Sequence, residues 1–327
     1  MGDNYIIRAD ASSDIGSGHV MRMIALGQMI QDKGGTVHFA TIPYSSSILE
    51  RLYAEGFIVH LLPFLKNWDV DQDVQALIGI CQKNHPKWVV LDGYQYATRY
   101  QDILKHNDFY LMCVDDIAGY HFVADIVLNQ NLGATGIKYS AEPYTQFILG
   151  PKNALLRREF IRTKYEFRKS PTVNIKNILI TMGGIDSANI SLKVLKSLDG
   201  MVDSEFHIKV ITGPLNPNYE GLVGYSQVSK YRVDVLKNIG TEMASLMRWA
   251  DVGISAAGST IFEELYLNLP VICYQAASNQ FINRHPVQVP EKPLYSEILK
   301  HLNRSMDFYI LDKIKVTPFD INYIIDG

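Results

Sequence analysis

The chain has 327 residues, 47% of them hydrophobic, which is enough to build two domains with separate cores. Its formal net charge of −3 gives no global positive field, so we expect neither nucleic acid nor a membrane surface as a partner. The N-terminus has no basic and apolar leader, no stretch approaches the roughly 20 apolar residues that span a bilayer, and three cysteines lie far apart in apolar runs. We therefore expect a cytoplasmic protein without disulfides or a bound metal.

The first half alternates short apolar runs with amphipathic stretches. Strands buried on both faces are predicted over 5–8, 37–41, 57–62, 88–92 and 109–115, and helices over 19–33, 46–55, 70–83 and 98–106. Repeated βα units of this kind predict a parallel, doubly wound sheet.

A charged stretch that ends at Pro171 is predicted to link this half to a second βα series. In that series the predicted strands are 178–182, 207–212, 252–255 and 271–274, and the predicted helices are 189–198, 241–249 and 259–267. The chain is thus predicted to be an α/β protein with an N-terminal Rossmann-like domain (1–151), a linker (152–172) and a C-terminal Rossmann-like domain (173–327). Such sheets bind ligands at the carboxyl ends of their strands, which are expected to face a common cleft.

A glycine loop follows the first strand. Gly16 and Gly18 precede a helix that begins near His19, so backbone N–H groups and the positive helix end are available to a ligand. Met21 stands where a dinucleotide fingerprint has its third glycine, and the loop has no P-loop lysine. At a helix N-terminus the neutral imidazole is favoured, and it can accept a proton from water. His19 is therefore a candidate base, and a packing or capping histidine is the alternative.

Two glycine turns in the second half are candidate phosphate sites. Gly183 and Gly184 stand between a strand and a helix, where a tight turn alone is the competing interpretation. A second turn carries Gly258, with further candidates just beyond it: Ser259, Thr260 and Glu263. Helix-end amides and hydroxyls suit a diphosphate, and a carboxylate one turn later can accept both ribose hydroxyls, although Thr260 and Glu263 also have capping-box spacing.

Polar residues at other predicted strand ends complete the set. The amides of Asn279 and Gln280 can hydrogen-bond to sugar hydroxyls, or the two residues can simply belong to a polar loop. Two groups of acids, Asp92 with Tyr94 and the Asp115-Asp116 pair, are also compatible with metal binding or with acid/base catalysis. Because the sequence has no HExxH motif or acidic triplet of ligand spacing, these acids are interpreted as groups that organise loops or contact sugar.

Together these motifs resemble one family, the UDP-2,4-diacetamido-2,4,6-trideoxy-β-L-altropyranose hydrolases of pseudaminic acid biosynthesis. The matching segments, in chain order, are Arg8-x-Asp10, Ile15-Gly16-Ser17-Gly18-His19-Val20-x-Arg22, Asp92-Gly93-Tyr94, Asp115-Asp116, Asn129, Leu149-Gly150, Leu155-Leu156-Arg157-x-Glu159-Phe160, Gly183-Gly184-x-Asp186, Ser255-Ala256-Ala257-Gly258-Ser259-Thr260 and Asn279-Gln280. The second half also resembles the UDP-binding half of the peptidoglycan GlcNAc transferase.

The resemblance implies a GT-B fold, a UDP-sugar substrate and no cofactor. It implies that His19 activates water and that Glu263 holds the uridine ribose. It also carries substrate-binding roles to Asp10, Arg22 and Tyr94. We expect a monomer that hydrolyses the anomeric C–O bond with inversion.

The chain departs from the family pattern after Gln280, so an altered C-terminal subdomain is expected. Two other functions stay open: a GT-B glycosyltransferase that uses a UDP-sugar donor, and a nucleotide-sugar binding protein without catalysis. A nicotinamide dehydrogenase is disfavoured, because both glycine loops lack the third glycine and no acidic residue follows the first at the ribose-binding distance.

Overall fold

The computed structural model describes residues 2–12, 16–43, 46–63, 68–164, 175–201, 205–214, 216–237, 239–276, 280, 283, 298–300, 302–303, 306–311 and 314–325. The chain divides into two compact units. Unit 1 comprises Met1–Arg158 with Thr317–Gly327, and unit 2 comprises Glu159–Val316. No helix in these ranges is long and apolar enough to cross a bilayer.

The first part of the chain forms the strands β1 (Asn4–Ala9), β2 (Thr36–Thr41), β3 (Ile58–Leu61), β4 (Trp88–Asp92), β5 (Leu111–Val114), β6 (His121–Phe122), β7 (Ile126–Asn129), β8 (Ser140–Ala141) and β9 (Gln146–Leu149). Its helices are α1 (Gly18–Asp32), α2 (Ser46–Ala54), α3 (Val70–Asn84) and α4 (Thr98–Lys105). The main sheet of unit 1 has the order β3-β2-β1-β4-β5-β7-β9, and its neighbouring strands are parallel.

The central strands of unit 1 are apolar because helices cover both faces of the sheet. All residues of β4, β5 and β7 are buried. β3 does not follow this pattern: Ile58 and Leu61 are 46% and 50% exposed. The prediction that this segment is buried on both faces is wrong, because β3 is an edge strand with β2 as its single neighbour.

The second part of the chain forms α5 (Arg158–Thr163), β10 (Asn177–Thr181), α6 (Ile190–Asp199), β11 (His207–Thr212), α7 (Tyr219–Ser226), β12 (Arg232–Lys237), α8 (Met243–Trp249), β13 (Val252–Ala256), α9 (Thr260–Tyr266), β14 (Val271–Tyr274), β15 (Phe308–Leu311) and α10 (Asn322–Ile325). The sheet of unit 2 has the order β12-β11-β10-β13-β14-β15. Its strands are parallel except for the antiparallel pair β14 and β15. Its apolar core includes five fully buried side chains: Ile178, Ile180, Val210, Ile254 and Ile272.

The last residues of the chain belong to unit 1, whereas the predicted second domain (173–327) included them. Ala154 donates its N–H to the carbonyl of Thr317 at 3.0 Å, and Phe319 donates to Ala154 at 2.9 Å. The Lys87 ammonium also donates to the carbonyl of Ile325. These bonds attach the C-terminal segment to unit 1. Of the predicted linker (152–172), residues 165–172 lie outside the described residues.

Candidate functional site

The loops at the carboxyl ends of β1 and β4 define the first candidate site. β1 pairs with β2 on one side and with β4 on the other, so the order of the sheet reverses between β1 and β4. Open α/β sheets bind ligands at such a reversal. Asp10 follows β1, Asp92 is the last residue of β4, and His19 is the second residue of α1. The topology therefore brings these three predicted residues to one edge of the sheet.

The glycine loop has a backbone that requires glycine at one position. Gly16 has φ +75° and exchanges backbone hydrogen bonds with Ser12, at 2.9 and 3.3 Å. A residue with a Cβ is strained in this conformation. Gly18 is the exposed first residue of α1. The loop thus closes on itself just before the helix that carries His19.

His19 is 7% exposed and packs its ring edge-on against Tyr94, with the centroids 5.1 Å apart. Its Nδ1 lies 3.8 Å from Oδ1 of Asp92, which is fully buried. Within the described part of the chain, Nδ1 is buried without a hydrogen-bond partner. A buried polar atom of this kind is uncommon in folded proteins, and it marks His19 as a functional candidate.

Arg22, one turn further along α1, binds two carboxylates. Its Nε and Nη2 donate to Asp92 at 2.6 and 2.7 Å, and Nη1 and Nη2 donate to Asp116 at 2.8 and 3.0 Å. Burial disfavours ionisation of Asp116, but the guanidinium outweighs it, and the pKa of Asp116 lies well below its usual range. Tyr94 donates to the same carboxylate at 3.1 Å. The substrate-binding roles of Arg22 and Tyr94 stay predictions.

Asp10 lies in a second buried ion-pair cluster. Its carboxylate accepts hydrogen bonds from Arg8, from the backbone of Ile42 at 2.9 Å and from the hydroxyl of Tyr96 at 3.1 Å. Arg8 also binds Asp73, at 2.8 Å. Burial opposes the charge on Asp10, yet Arg8 and these donors lower its pKa. The observed contacts make Asp10 an organiser of the loop after β1, and its substrate contact stays a prediction.

Two residues of this region were not singled out from the sequence. Asn131 donates to Asp116 at 2.8 Å, and Tyr139 donates to Asp115 at 3.2 Å. Burial raises the pKa of Asp115, and the neighbouring Asp116 adds to the effect. The described residues contain no group of three or more His, Cys, Asp or Glu side chains that could hold a metal ion.

Unit 2 has the same arrangement at β10 and β13, where its sheet order reverses. Gly183 follows β10 with φ +81°, which favours glycine. A Cβ at Gly213, just after β11, would lie 2.6 Å from Cα of Gly184 and closer still to its carbonyl oxygen. The two turns therefore pack backbone against backbone, and Gly213 is a structural requirement that was not predicted from the sequence.

The start of α6 is already bound by a carboxylate. The two oxygens of Asp186 accept the N–H groups of Ile190 and Ser191, at 2.7 and 3.0 Å. Asp186, the last residue of the segment Gly183-Gly184-x-Asp186, therefore caps α6 and occupies these two amides. A phosphate role for Gly183 and Gly184 then depends on the turn itself, and it stays a prediction.

The turn after β13 contains the other predicted nucleotide contacts. Gly258 precedes α9, a helix of seven residues that begins at Thr260. Ser259 occupies the cap position without a side-chain capping bond to any described residue. Glu263, predicted to hold a ribose, is 7% exposed. The amide of Gln280 lies 3.6 Å from where a Cβ of Gly258 would stand, so these two candidates do lie together.

Two amide side chains, Gln280 and Asn283, bind backbone groups near this turn. The Gln280 side chain accepts the N–H of Ala276 at 2.8 Å, and the buried Asn283, which was not predicted, donates to the carbonyl of Ala257 at 2.9 Å. Gln280 thus binds the backbone just after β14, and Asn283 binds the turn after β13. Asn279 lies outside the described residues.

Glu264 was also missed. Its side chain is fully buried and accepts a 2.6 Å hydrogen bond from the hydroxyl of Ser255. A Cβ at Gly253 would lie 2.5 Å from its Oε1, so glycine in β13 provides the space for the carboxyl group. Burial raises the pKa of Glu264 to about 8, and the adjacent Glu263 adds to the effect. The available signal was a second glutamate in a helix that is otherwise apolar.

Sequence and structure comparisons agree with this architecture. Residues 177–291 match the glycosyltransferase family 28 C-terminal domain. An uncharacterized protein of Methanocaldococcus jannaschii is 29% identical over 94% of this chain, and the match spans 61% of that protein's length. The UDP-2,4-diacetamido-2,4,6-trideoxy-β-L-altropyranose hydrolase of Campylobacter jejuni is 26% identical over 82% of this chain and 91% of its own length.

A solved structure confirms the predicted fold class. The crystal structure of Acinetobacter baumannii MurG matches with a TM-score of 0.60 and 14% identity, covering 99% of this chain and 98% of that one. At this identity the match concerns the fold alone. The chain is a homologue of the Campylobacter UDP-2,4-diacetamido-2,4,6-trideoxy-β-L-altropyranose hydrolase, with a GT-B fold and a glycosyltransferase family 28 C-terminal domain.

Proposed function

We propose that this chain is a UDP-sugar hydrolase with His19 as its general base. Its substrate in this proposal is a UDP-linked 2,4-diacetamido-2,4,6-trideoxyhexose, and its setting is the biosynthesis of pseudaminic acid or a related nonulosonate in the cytoplasm. The observation that carries the proposal is the buried His19 imidazole, whose Nδ1 has no hydrogen-bond partner among the described residues and lies beside Asp92 and Tyr94. The homology to a hydrolase named for such a substrate supports it.

The reaction requires one proton acceptor. The imidazole takes a proton from water as the water oxygen attacks the anomeric carbon. The bond between this carbon and the diphosphate oxygen breaks, and its electron pair leaves with UDP. Because UDP is a good leaving group, stabilisation of its developing charge matters more than its protonation. Attack from the face opposite the leaving group inverts the configuration, and the products are the free sugar and UDP.

The remaining predicted residues receive binding roles in this proposal. Unit 2 binds the nucleotide: the turns with Gly183, Gly184 and Gly258 contact the diphosphate, and the buried Glu263 accepts the ribose hydroxyls. In unit 1 the proposed sugar contacts are Gly16, Gly18 and Tyr94. For unit 2, Asn279 and Gln280 stay predicted contacts of sugar hydroxyls. Ser259 and Thr260 complete the diphosphate contacts, and no cofactor takes part.

A UDP-release assay tests the proposal. Wild-type protein, His19→Ala and the control His106→Ala are incubated with UDP-linked diacetamido trideoxyhexoses, and proton NMR identifies the first anomer formed. His106 is an exposed histidine that follows α4, at the opposite edge of the sheet from His19. We expect His19→Ala to lose about 100-fold or more in kcat, a typical effect for a general base, with UDP affinity kept. Full activity of His19→Ala would refute the assignment.

A glycosyltransferase is the second candidate, because residues 177–291 match a glycosyltransferase domain. In that case the same incubation releases UDP only after an acceptor alcohol is added. Binding of UDP without turnover under either condition, unchanged by His19→Ala, would instead indicate a nucleotide-sugar binding protein.

A further inference from the structure

Arg22 and Asp92 form a fixed ion pair beside the proposed base. Both carboxylate oxygens of Asp92 accept hydrogen bonds from Arg22, at 2.6 and 2.7 Å. Asp92 is 0% exposed and Arg22 is 6% exposed. Two parallel bonds between a planar guanidinium and a carboxylate hold both groups in one orientation. The position of the Asp92 carboxylate is thus set by α1, the helix that also carries His19.

The charges of this cluster do not cancel. Arg22 contributes one positive charge, whereas Asp92 and Asp116 contribute two negative charges, so the three ion-paired groups carry a net charge of −1. Among the described residues, Asp116 also accepts hydrogen bonds from the neutral Tyr94 hydroxyl and Asn131 amide, and burial raises the pKa of the adjacent Asp115. An excess negative charge in a buried site stabilises a positive charge placed beside it.

His19 is the group placed there. Its Nδ1 lies 3.8 Å from Oδ1 of Asp92, and Nδ1 has no hydrogen-bond partner in the described ranges. Hydrogen bonds of catalytic groups are often long in unliganded enzymes and shorten when the substrate binds. A movement of less than about 1 Å brings the two atoms to ordinary hydrogen-bond distance.

We propose that Asp92, held in place by Arg22, is a positioning residue that accepts the Nδ1–H of His19. This arrangement leaves the lone pair on Nε2, which is then the atom that takes the proton from water, and the imidazolium formed neutralises the excess charge of the cluster. The inference rests on the proposed function, since it assigns a role within the same reaction. It changes the predicted role of Arg22 from a substrate contact to a support for Asp92.

The tautomer of His19 tests this inference without any assay of activity. Two-bond proton–nitrogen NMR of protein labelled with 15N-histidine distinguishes the Nδ1–H from the Nε2–H form, and the spectrum of His19→Gln assigns the His19 signals. We expect wild-type His19, in its neutral form, to carry its proton on Nδ1. An Nε2–H tautomer in the wild-type protein would overturn the inference, even if His19 proves essential for hydrolysis.

Asp92→Asn and the control Asp115→Asn extend the test. Asp115 is the neighbouring carboxylate that binds the N–H of Ala118 and the Tyr139 hydroxyl. We expect Asp92→Asn to abolish the Nδ1–H preference and to lower kcat by about 100-fold to 10,000-fold, with KM changed less than threefold. Asp115→Asn should keep the wild-type tautomer. An unchanged tautomer in folded Asp92→Asn refutes the inference, whereas absence of UDP release from the wild-type protein refutes only the proposed function.

Discussion

Glu264→Gln is expected to change how the stability of unit 2 depends on pH. The carboxyl group of Glu264 is fully buried against Ser255, and burial raises its pKa from the ordinary value of 4.5 to about 8. The other titratable groups at this position are Glu263 on the same helix and Cys273 on β14, and burial raises the pKa of Cys273 well above its usual value. The thiol therefore stays neutral while Glu264 titrates.

The sign and size of the effect follow from linkage. The folded state holds the Glu264 proton more tightly than the unfolded state, so stability is greatest below about pH 4.5 and falls as the pH rises toward 8. Each pKa unit corresponds to about 1.4 kcal/mol, so the difference between 4.5 and about 8 corresponds to roughly 5 kcal/mol in total. Between pH 5 and pH 8 the wild-type protein should lose roughly 3 to 4 kcal/mol from this group.

The glutamine variant lacks this dependence because an amide does not titrate. At pH 5 the glutamine variant should be less stable than the wild type by about 1 to 3 kcal/mol. On folding, the buried amide N–H groups lose the hydrogen bonds that they make to water in the unfolded chain. At pH 8 it should be the more stable protein. Urea unfolding at pH 5, 6.5 and 8 measures the crossover, and hydrogen exchange of peptides from β13 and α9 attributes it to unit 2.

Glu205→Gln, at an exposed position of unit 2, is the matched control and should follow the wild-type curve at each pH. If Glu264→Gln also follows that curve, Glu264 does not keep its proton in the folded state, and the reasoning from burial is refuted.

Two further substitutions test contacts that support the candidate sites. Gly213→Ala places a Cβ against the backbone of Gly184 and should reduce the free energy of unfolding by about 1 to 3 kcal/mol, whereas Gly221→Ala, in α7 where the space is open, should leave it unchanged or raise it by up to about 1 kcal/mol. Asp73→Asn weakens the buried pair with Arg8 and should cost about 3 to 5 kcal/mol, whereas Asp71→Asn removes an exposed pair and should cost less than about 1 kcal/mol. Equal thermal shifts within either pair of variants would contradict the corresponding contact.

Several strands at the centre of each sheet were predictable because local pattern and burial agree there, although β7 (Ile126–Asn129), which is fully buried between β5 and β9, was not predicted. The predicted bounds 88–92, 207–212 and 271–274 are those of β4, β11 and β14. β4 and β14 are mostly apolar and buried, as strands covered on both faces must be, whereas β11 combines the buried Ile208, Val210 and Ile211 with the half-buried His207 and Lys209. The edge strand β12 was missed: its sequence Arg232–Lys237 alternates and is partly exposed, so it has no continuous apolar run. The two-residue strands β6 and β8 are too short to show any period.

The positions of the candidate residues were predictable, but several of their contacts were not. Topology placed His19 and Asp92 at one edge of the sheet, as predicted from the strand ends. The partners of Arg22, however, lie 70 and 94 residues along the chain. Pairing over such separations depends on the folded geometry, and a single sequence contains no local signal for it. The same holds for the space that Gly253 leaves for Glu264.

The charges of the two units indicate how the chemical tasks are divided between them. In unit 1 the carboxylates of Asp92 and Asp116 both pair with the guanidinium of Arg22, so these three groups have a net negative charge. This charge repels a diphosphate and favours a group that becomes positive. In unit 2 the reversal carries glycine turns, and Glu264 keeps its proton up to about pH 8. Without that proton, α9 would carry a second carboxylate charge next to that of Glu263. We therefore expect nucleotide affinity to reside in unit 2 and to weaken above pH 8 in the wild-type protein but not in Glu264→Gln, because only the wild-type protein gains that charge.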